Sequence, residues 1–258
     1  MFDKHIHRDE FRLRVLLTNK CNKDCHFCLN DFLPKKPSLY MNPFFHLDCL
    51  RAYGQFMRSI REASIVTFSG GEPGLHPMLN LFLAHARHHC DVVKVVTNGL
   101  ALDPKFCKFV DCWHVGVIDK DARVIDFLQY SKDITAQIVV TEQESTRSLI
   151  DLIDYYHKAG LKIKLFTDFY SSHQDQLVKR VNQLADMFVD RILTRFTGKQ
   201  ENRGKVCKGC TKRCVTLKAL WVFPDGSSSA CPQGMCELYD HDSWDETVEI
   251  AYKAHLYK

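Results

Sequence analysis

Three cysteines stand close together near the N-terminus, in the run Cys21-Asn-Lys-Asp-Cys25-His-Phe-Cys28. A C-x3-C-x2-C loop can bring three thiolates to three irons of a [4Fe–4S] cube and leave the fourth iron open to a ligand. Zinc is the natural rival, but a structural zinc site closes with four ligands and no fourth Cys follows nearby. A second set lies far downstream: Cys207, Cys210, Cys214, Cys231 and Cys236, spaced C-x2-C-x3-C-x16-C-x4-C. Its C-x2-C is also common in structural zinc ribbons, so iron–sulfur and zinc both stand there. Cys49, Cys90, Cys107 and Cys112 lie in apolar surroundings and read as core thiols.

The elements that must position these residues follow from periodicity. Apolar runs at Phe11 to Thr18, Ser64 to Ser69, Val92 to Thr97, Trp113 to Ile118, Ala136 to Thr141 and Lys162 to Thr167 read as strands. Amphipathic stretches at about 43–61, 76–89, 103–109, 121–130, 144–158 and 173–188 read as the helices between them. This is six β/α repeats, and the expected fold is α/β: a partial (β/α)6 TIM-type barrel over residues 1–196. From Thr197 the texture turns polar and Cys-rich, marking a small C-terminal module over 197–258. That module holds one hairpin with an Asp225-Gly226 turn and a closing helix capped by Ser243. Ligands bind at the carboxyl ends of parallel strands, so the turns Thr18-Asn19, Ser69-Gly70-Gly71 and Thr97-Asn98-Gly99 should face one site.

Bulk properties remove several function classes. A chain of 258 residues, 45% hydrophobic and 26% charged, is long and apolar enough to build a core without disulfide staples. The charged N-terminus has no signal-peptide core and no apolar run approaches a membrane span, so a reducing cytoplasmic location and no membrane are expected. In that setting clustered Cys are ligands rather than disulfides. A net charge of +4 falls short of a nucleic-acid footprint, and no nucleic-acid partner is expected. His85, His88 and His89 share one helix and read as a solvated face, while His26, inside the Cys loop, could tune a cluster by hydrogen bonding.

The Cys21, Cys25, Cys28 spacing with Phe27 before the last Cys resembles the radical S-adenosylmethionine superfamily. Downstream, Ser69-Gly70-Gly71-Glu72-Pro73 looks like that family's segment for the cofactor's amino group, and Thr97-Asn98-Gly99 matches its common TNG turn. The resemblance covers roughly residues 11–170. It implies S-adenosylmethionine beside Phe27, Ser69, Gly70, Gly71, Glu72, Thr97 and Asn98, reductive cleavage to a 5′-deoxyadenosyl radical, and abstraction of a substrate hydrogen. Glycines allow close backbone approach and the Glu72 carboxylate can pair with an ammonium.

The segment from Cys214 through Gly226 to Cys231 resembles half of a SPASM pattern, and the module as a whole looks like its shortened relative, Twitch. This implies one auxiliary [4Fe–4S] cluster, held by Cys207, Cys210, Cys214 and Cys231, with Cys236 as a substitute ligand or a free thiol. The upstream C-x2-C-x3-C departs from the usual order. An oxidoreductase follows, acting on a small biosynthetic metabolite or a ribosomally made precursor peptide and fed by an electron donor such as flavodoxin or ferredoxin. Only about ten residues precede the first strand, which mildly favours the small molecule over a peptide needing a fused leader-binding domain. Asp119, Glu142, Asp168 and Tyr170 follow strands four to six and are the candidates for touching cofactor or substrate. The competing expectation is a non-catalytic iron–sulfur or zinc-binding interaction protein that has kept the barrel.

Overall fold

The computed structural model describes residues 10–28, 39–131, 133–168, 170–188, 192–195, 219–229 and 243–256. Along the chain run β1 (Arg12–Leu16), α1 (Pro43–Ser59), β2 (Ile65–Ser69), α2 (Leu79–His89), β3 (Val92–Thr97), β4 (Cys112–Gly116) and α3 (Ala122–Asp126). They are followed by β5 (Ile134–Val140), α4 (Thr146–Lys158), β6 (Lys162–Thr167), α5 (Gln174–Asp186), β7 (Ile192–Arg195), β8 (Ala219–Val222), β9 (Ser228–Ser229) and α6 (Trp244–Leu256). The strands lie in the order β7-β6-β5-β4-β3-β2-β1-β8-β9, and only the β8–β9 pairing is antiparallel.

Sequential parallel strands joined by right-handed crossovers place their helices on one face. Alternation along each strand follows from this. Leu13 and Val15 of β1, Val93 and Val95 of β3, and Ile163 and Leu165 of β6 are fully buried in the core shared with the helices. The intervening residues, including Arg14, Lys94 and Lys164, project from the other, concave face. Local chemistry starts the helices as expected: the Asn42 side chain accepts from Phe44 N–H at 3.0 Å with Pro43 in the first turn, and Ser145 Oγ accepts from Ser148 N–H at 3.0 Å.

Four differences from the sequence expectation have physical reasons. The stretch 103–109 forms a single 3-10 turn at Pro104–Phe106, because the short β3–β4 crossover needs only Phe106 buried under Asp103 capping. The stretch 121–130 is a five-residue α3 followed by a 3-10 turn at Phe127–Gln129. A seventh parallel strand, β7, pairs with β6; its four residues are too few and too mixed in polarity to show a period. The hairpin expected at Asp225-Gly226 forms, β8 pairing antiparallel with β9, and it also extends the barrel sheet, which was not expected: β8 runs parallel beside β1, with Arg14 opposite Trp221. The closing helix α6 packs on the same body, Tyr252 meeting Phe11 and Phe56 edge-on at 5.5 and 5.2 Å. Among the described residues no helix is long and apolar enough to cross a membrane.

Candidate functional site at the strand ends

The three motif turns lock into one hydrogen-bonded assembly at the carboxyl ends of β1, β2 and β3. After β1, the chain is pinned by its own side chains: Thr18 Oγ1 donates to the Leu39 carbonyl at 2.6 Å, and Asn19 Oδ1 accepts from Leu39 N–H at 2.7 Å. The turn after β2 then seats directly on this stem. Gly71 N–H donates to the Thr18 carbonyl at 2.6 Å and Glu72 N–H to the Lys20 carbonyl at 2.8 Å. A β-carbon at Gly71 would lie 2.1 Å from the Lys20 carbonyl oxygen, and one at Gly70 would lie 2.4 Å from that of Thr18. Gly70 also has φ +133°, a conformation open to glycine. The paired glycines are therefore required by the contact between two loops, in addition to any approach of a ligand.

Glu72 ties in the third turn. It is fully buried and accepts from Thr97 Oγ1 at 2.6 Å, Asn98 N–H at 2.7 Å and Gly74 N–H at 2.9 Å. Burial pushes its carboxyl up, and the Asn98, Thr97 and Gly74 hydrogen bonds pull it back. This carboxylate faces inward and its oxygens are engaged by the protein, a locking position that the ammonium-pairing expectation did not foresee. Asn98 reaches the Cys loop, where its Nδ2 donates to Asn22 Oδ1 at 2.7 Å and lies 3.7 Å from Cys21 Sγ.

On that loop Cys21 is exposed, and Cys25 and Cys28 are half-buried. Desolvation, then the neighbouring Cys21, pushes the Cys25 thiol up. Phe27 stacks edge-on against His26 at 4.9 Å, and Cys28 N–H donates to the Cys25 carbonyl at 3.0 Å. The donors are of the type that holds iron in a [4Fe–4S] cluster, and they stand at a strand end. Among the described residues, no three His, Cys, Asp or Glu side chains lie close enough together to hold a metal ion, Cys21, Cys25 and Cys28 included.

The other sequence candidates fall into two groups. Tyr170 and Asp168 belong with the Cys loop: Asp168 is buried, its Oδ1 accepts from Tyr170 N–H at 2.9 Å, and Tyr170 Oη donates to the Cys28 carbonyl at 3.2 Å. Tyr170 thus braces β6 against the far side of the loop. Glu142 forms a cluster that sequence reading missed. Its carboxylate accepts from Ser171 Oγ and lies 2.9 Å from His173 Nδ1, and these contacts hold its carboxyl below the usual range. Asp119 is apart from both, lining an open depression of about 440 Å³ with Lys120 and Arg147.

Cys207, Cys210, Cys214, Cys231 and Cys236 lie outside the described residues. Cys49, Cys90 and Cys112 are buried and Cys107 half-buried, as core thiols should be, and burial pushes Cys90 up to about 12.

Comparison with known proteins adds to this geometry. An S-adenosylmethionine-dependent nucleotide dehydratase of Lacinutrix mariniflava is 31% identical over 155 residues, 58% of this chain and 31% of that protein. A GTP 3′,8-cyclase of Chlorobaculum tepidum is 33% identical over 108 residues, 41% of this chain and 31% of that protein. The chain spans about a third of the length of these relatives. Among solved structures, Streptococcus suis SuiB bound to its precursor peptide SuiA superimposes with a TM-score of 0.69 at 12% identity. The match covers 94% of this chain and 64% of that one. The anSMEcpe structure with bound AdoMet gives 0.61 at 15% identity over 94% and 79% of the two chains.

These likenesses support the radical S-adenosylmethionine superfamily. No family model matches the chain. The structural likenesses show the shared fold, a parallel sheet with its helices on one side, and the sequence relatives carry names of S-adenosylmethionine and nucleotide chemistry. In this fold the Cys loop, the Gly-Gly-Glu turn and the Thr-Asn-Gly turn occupy three successive strand ends.

Proposed function

We propose that the chain is a radical S-adenosylmethionine oxidoreductase. The observation that carries this reading is the interlock of the three motif turns, in which Glu72 joins the second to the third and Asn98 joins the third to the Cys loop. Cys21, Cys25 and Cys28 would hold a [4Fe–4S] cluster. With S-adenosylmethionine bound, that centre would supply one-electron radical chemistry for removing a hydrogen from substrate. The chain's own residues fix the geometry. Gly70 and Gly71 let the loops touch, Glu72 and Thr97 hold the cofactor side of the mouth rigid, and Tyr170 steadies the Cys loop from β6. Glu142 and His173, which meet at 2.9 Å after β5 and β6, would give or take a proton at the mouth.

Cys207, Cys210, Cys214 and Cys231, with Cys236 as the spare, would hold an auxiliary [4Fe–4S] cluster for substrate anchoring or electron acceptance. The reductant would be a cytoplasmic flavodoxin or ferredoxin. Of the two substrate branches, SuiB binding its precursor peptide SuiA supports the peptide, and the nucleotide names of the sequence relatives support a small metabolite.

Iron and sulfide counting tests the two-centre part. Anaerobically reconstituted protein should carry about eight irons, and a Cys207→Ala, Cys210→Ala variant about four. One cube plus zinc in the wild type would contradict the auxiliary cluster.

A further inference from the structure

The chain leaves β1 along residues 17–19 and comes back along residues 39–41, and Cys21, Cys25 and Cys28 lie between the two runs in sequence. An antiparallel bridge joins Thr18 to Tyr40. Met41 N–H donates to the Leu17 carbonyl at 2.9 Å, and Asn19 N–H to the Leu39 carbonyl at 3.4 Å. Gly71 and Glu72 hold the outgoing run, at the carbonyls of Thr18 and Lys20. The returning run is held by His76, which follows directly on the 3-10 turn at Pro73–Leu75.

His76 is buried, and both of its ring nitrogens are engaged. Nε2 lies 3.2 Å from the Met41 carbonyl oxygen, and Nδ1 lies 3.1 Å from the Met78 nitrogen. A carbonyl only accepts and a backbone N–H only donates, so the ring is neutral, with its proton on Nε2 donated to Met41. Burial pushes His76 down, opposed by the Met41 hydrogen bond, in keeping with a neutral ring. Tyr40 and Phe82 meet the ring edge-on at 5.5 and 4.8 Å and fix its plane. His46 of α1 is a packed histidine in the same core. It is fully buried 4.6 Å from Phe82, and neither ring nitrogen has a hydrogen-bond partner among the described residues.

We propose that His76 is a positioning residue for the Cys loop: its Nε2–H holds the returning run at the Met41 carbonyl, as Gly71 and Glu72 hold the outgoing run. One segment after β2 thus clamps both ends of the loop. The inference rests on the proposed function for what the three cysteines hold. Met41 is 1% exposed, so its carbonyl has no water to turn to when the imidazole is lost. Met78 is 43% exposed and stands at the surface, where water replaces a lost acceptor more cheaply.

The two bonds can be separated chemically. His76→Gln puts an amide N–H where Nε2 stands and keeps the Met41 bond, whereas His76→Asn puts an oxygen where Nδ1 stands and keeps only the Met78 bond. Both variants, with His46→Leu as the packing control, are made in the Cys207→Ala, Cys210→Ala chain so that iron reports on Cys21, Cys25 and Cys28. After anaerobic reconstitution, His76→Asn is expected to surrender iron to a chelator about tenfold faster than its parent, with amide exchange at residues 39–41 faster by about the same factor. His76→Gln and His46→Leu should match the parent in both. Nitrogen NMR of the parent at neutral pH should find His76 protonated on Nε2 alone. Equal losses in His76→Gln and His76→Asn, or equal losses in His46→Leu, would reduce His76 to packing. Parent-like behaviour of His76→Asn, or a proton on Nδ1, would equally overturn the clamp. Iron uptake without 5′-deoxyadenosine formation by the wild type would defeat the radical chemistry and leave the clamp standing. If no iron is taken up, the exchange rates at residues 39–41 still decide the clamp.

Discussion

Glu72→Ala is expected to unfold about 3–5 kcal/mol more easily than the wild type and to form no 5′-deoxyadenosine. The magnitude follows from what the carboxylate holds. Thr97 Oγ1 and the Asn98 and Gly74 N–H groups all donate to a side chain with no exposed surface, and truncation leaves these donors without an acceptor. Each orphaned buried group costs about 1–3 kcal/mol, and the losses fall on one network. Glu72→Gln separates charge from shape. Its amide oxygen still accepts, but its NH2 confronts a backbone or hydroxyl donor, so a loss of about 1–2 kcal/mol is expected. Urea unfolding measures both variants. A Glu72→Ala protein as stable as the wild type would show that the three turns are not interlocked through this residue.

Gly71→Ala is expected to lose more than about 3 kcal/mol and to take up little iron at Cys21, Cys25 and Cys28. The new β-carbon would meet the Lys20 carbonyl oxygen at 2.1 Å, and that atom is backbone, so the loops themselves must part. Their parting breaks the Glu72 N–H bond to the Lys20 carbonyl and frees the stem of the Cys loop. Gly99→Ala is the matched control. Gly99 has φ +104° but no atom within 4 Å of the added carbon, so it carries backbone strain of about 1–2 kcal/mol without a collision. Unfolding and iron content, measured on both variants, should rank Gly71→Ala well below Gly99→Ala. Equal effects would mean that glycine conformation, not loop contact, fixes these positions.

Much of this site is written locally in the sequence. Cys21 to Cys28, Ser69 to Pro73 and Thr97 to Gly99 announce themselves by residue type, and their order on successive strands follows from the apolar period between them. The Asp225-Gly226 turn is likewise local, and Gly226 takes the expected positive φ of 89°. What the sequence conceals is pairing at a distance. Nothing in Ala219–Val222 announces β1 as its neighbour, and the Tyr170–Cys28 and Asn98–Asn22 bonds join loops far apart in the chain. Lys94 shows the same limit differently. In Val-Val-Lys-Val-Val-Thr it is a polar interruption of a strand, and only the register, which sets it opposite Thr67 and Cys112, puts it on the face turned away from the helices. His173 was hidden because its partner Glu142 belongs to another strand end.

The central claim is that the interlocked strand ends form one site for a [4Fe–4S] cluster and S-adenosylmethionine. Its most direct test is product analysis. The protein, reconstituted anaerobically and given S-adenosylmethionine and dithionite, should release 5′-deoxyadenosine, and the Cys21→Ala, Cys25→Ala, Cys28→Ala variant should release none above background. Wild-type protein with a full iron complement that yields no more 5′-deoxyadenosine than the variant would contradict the account.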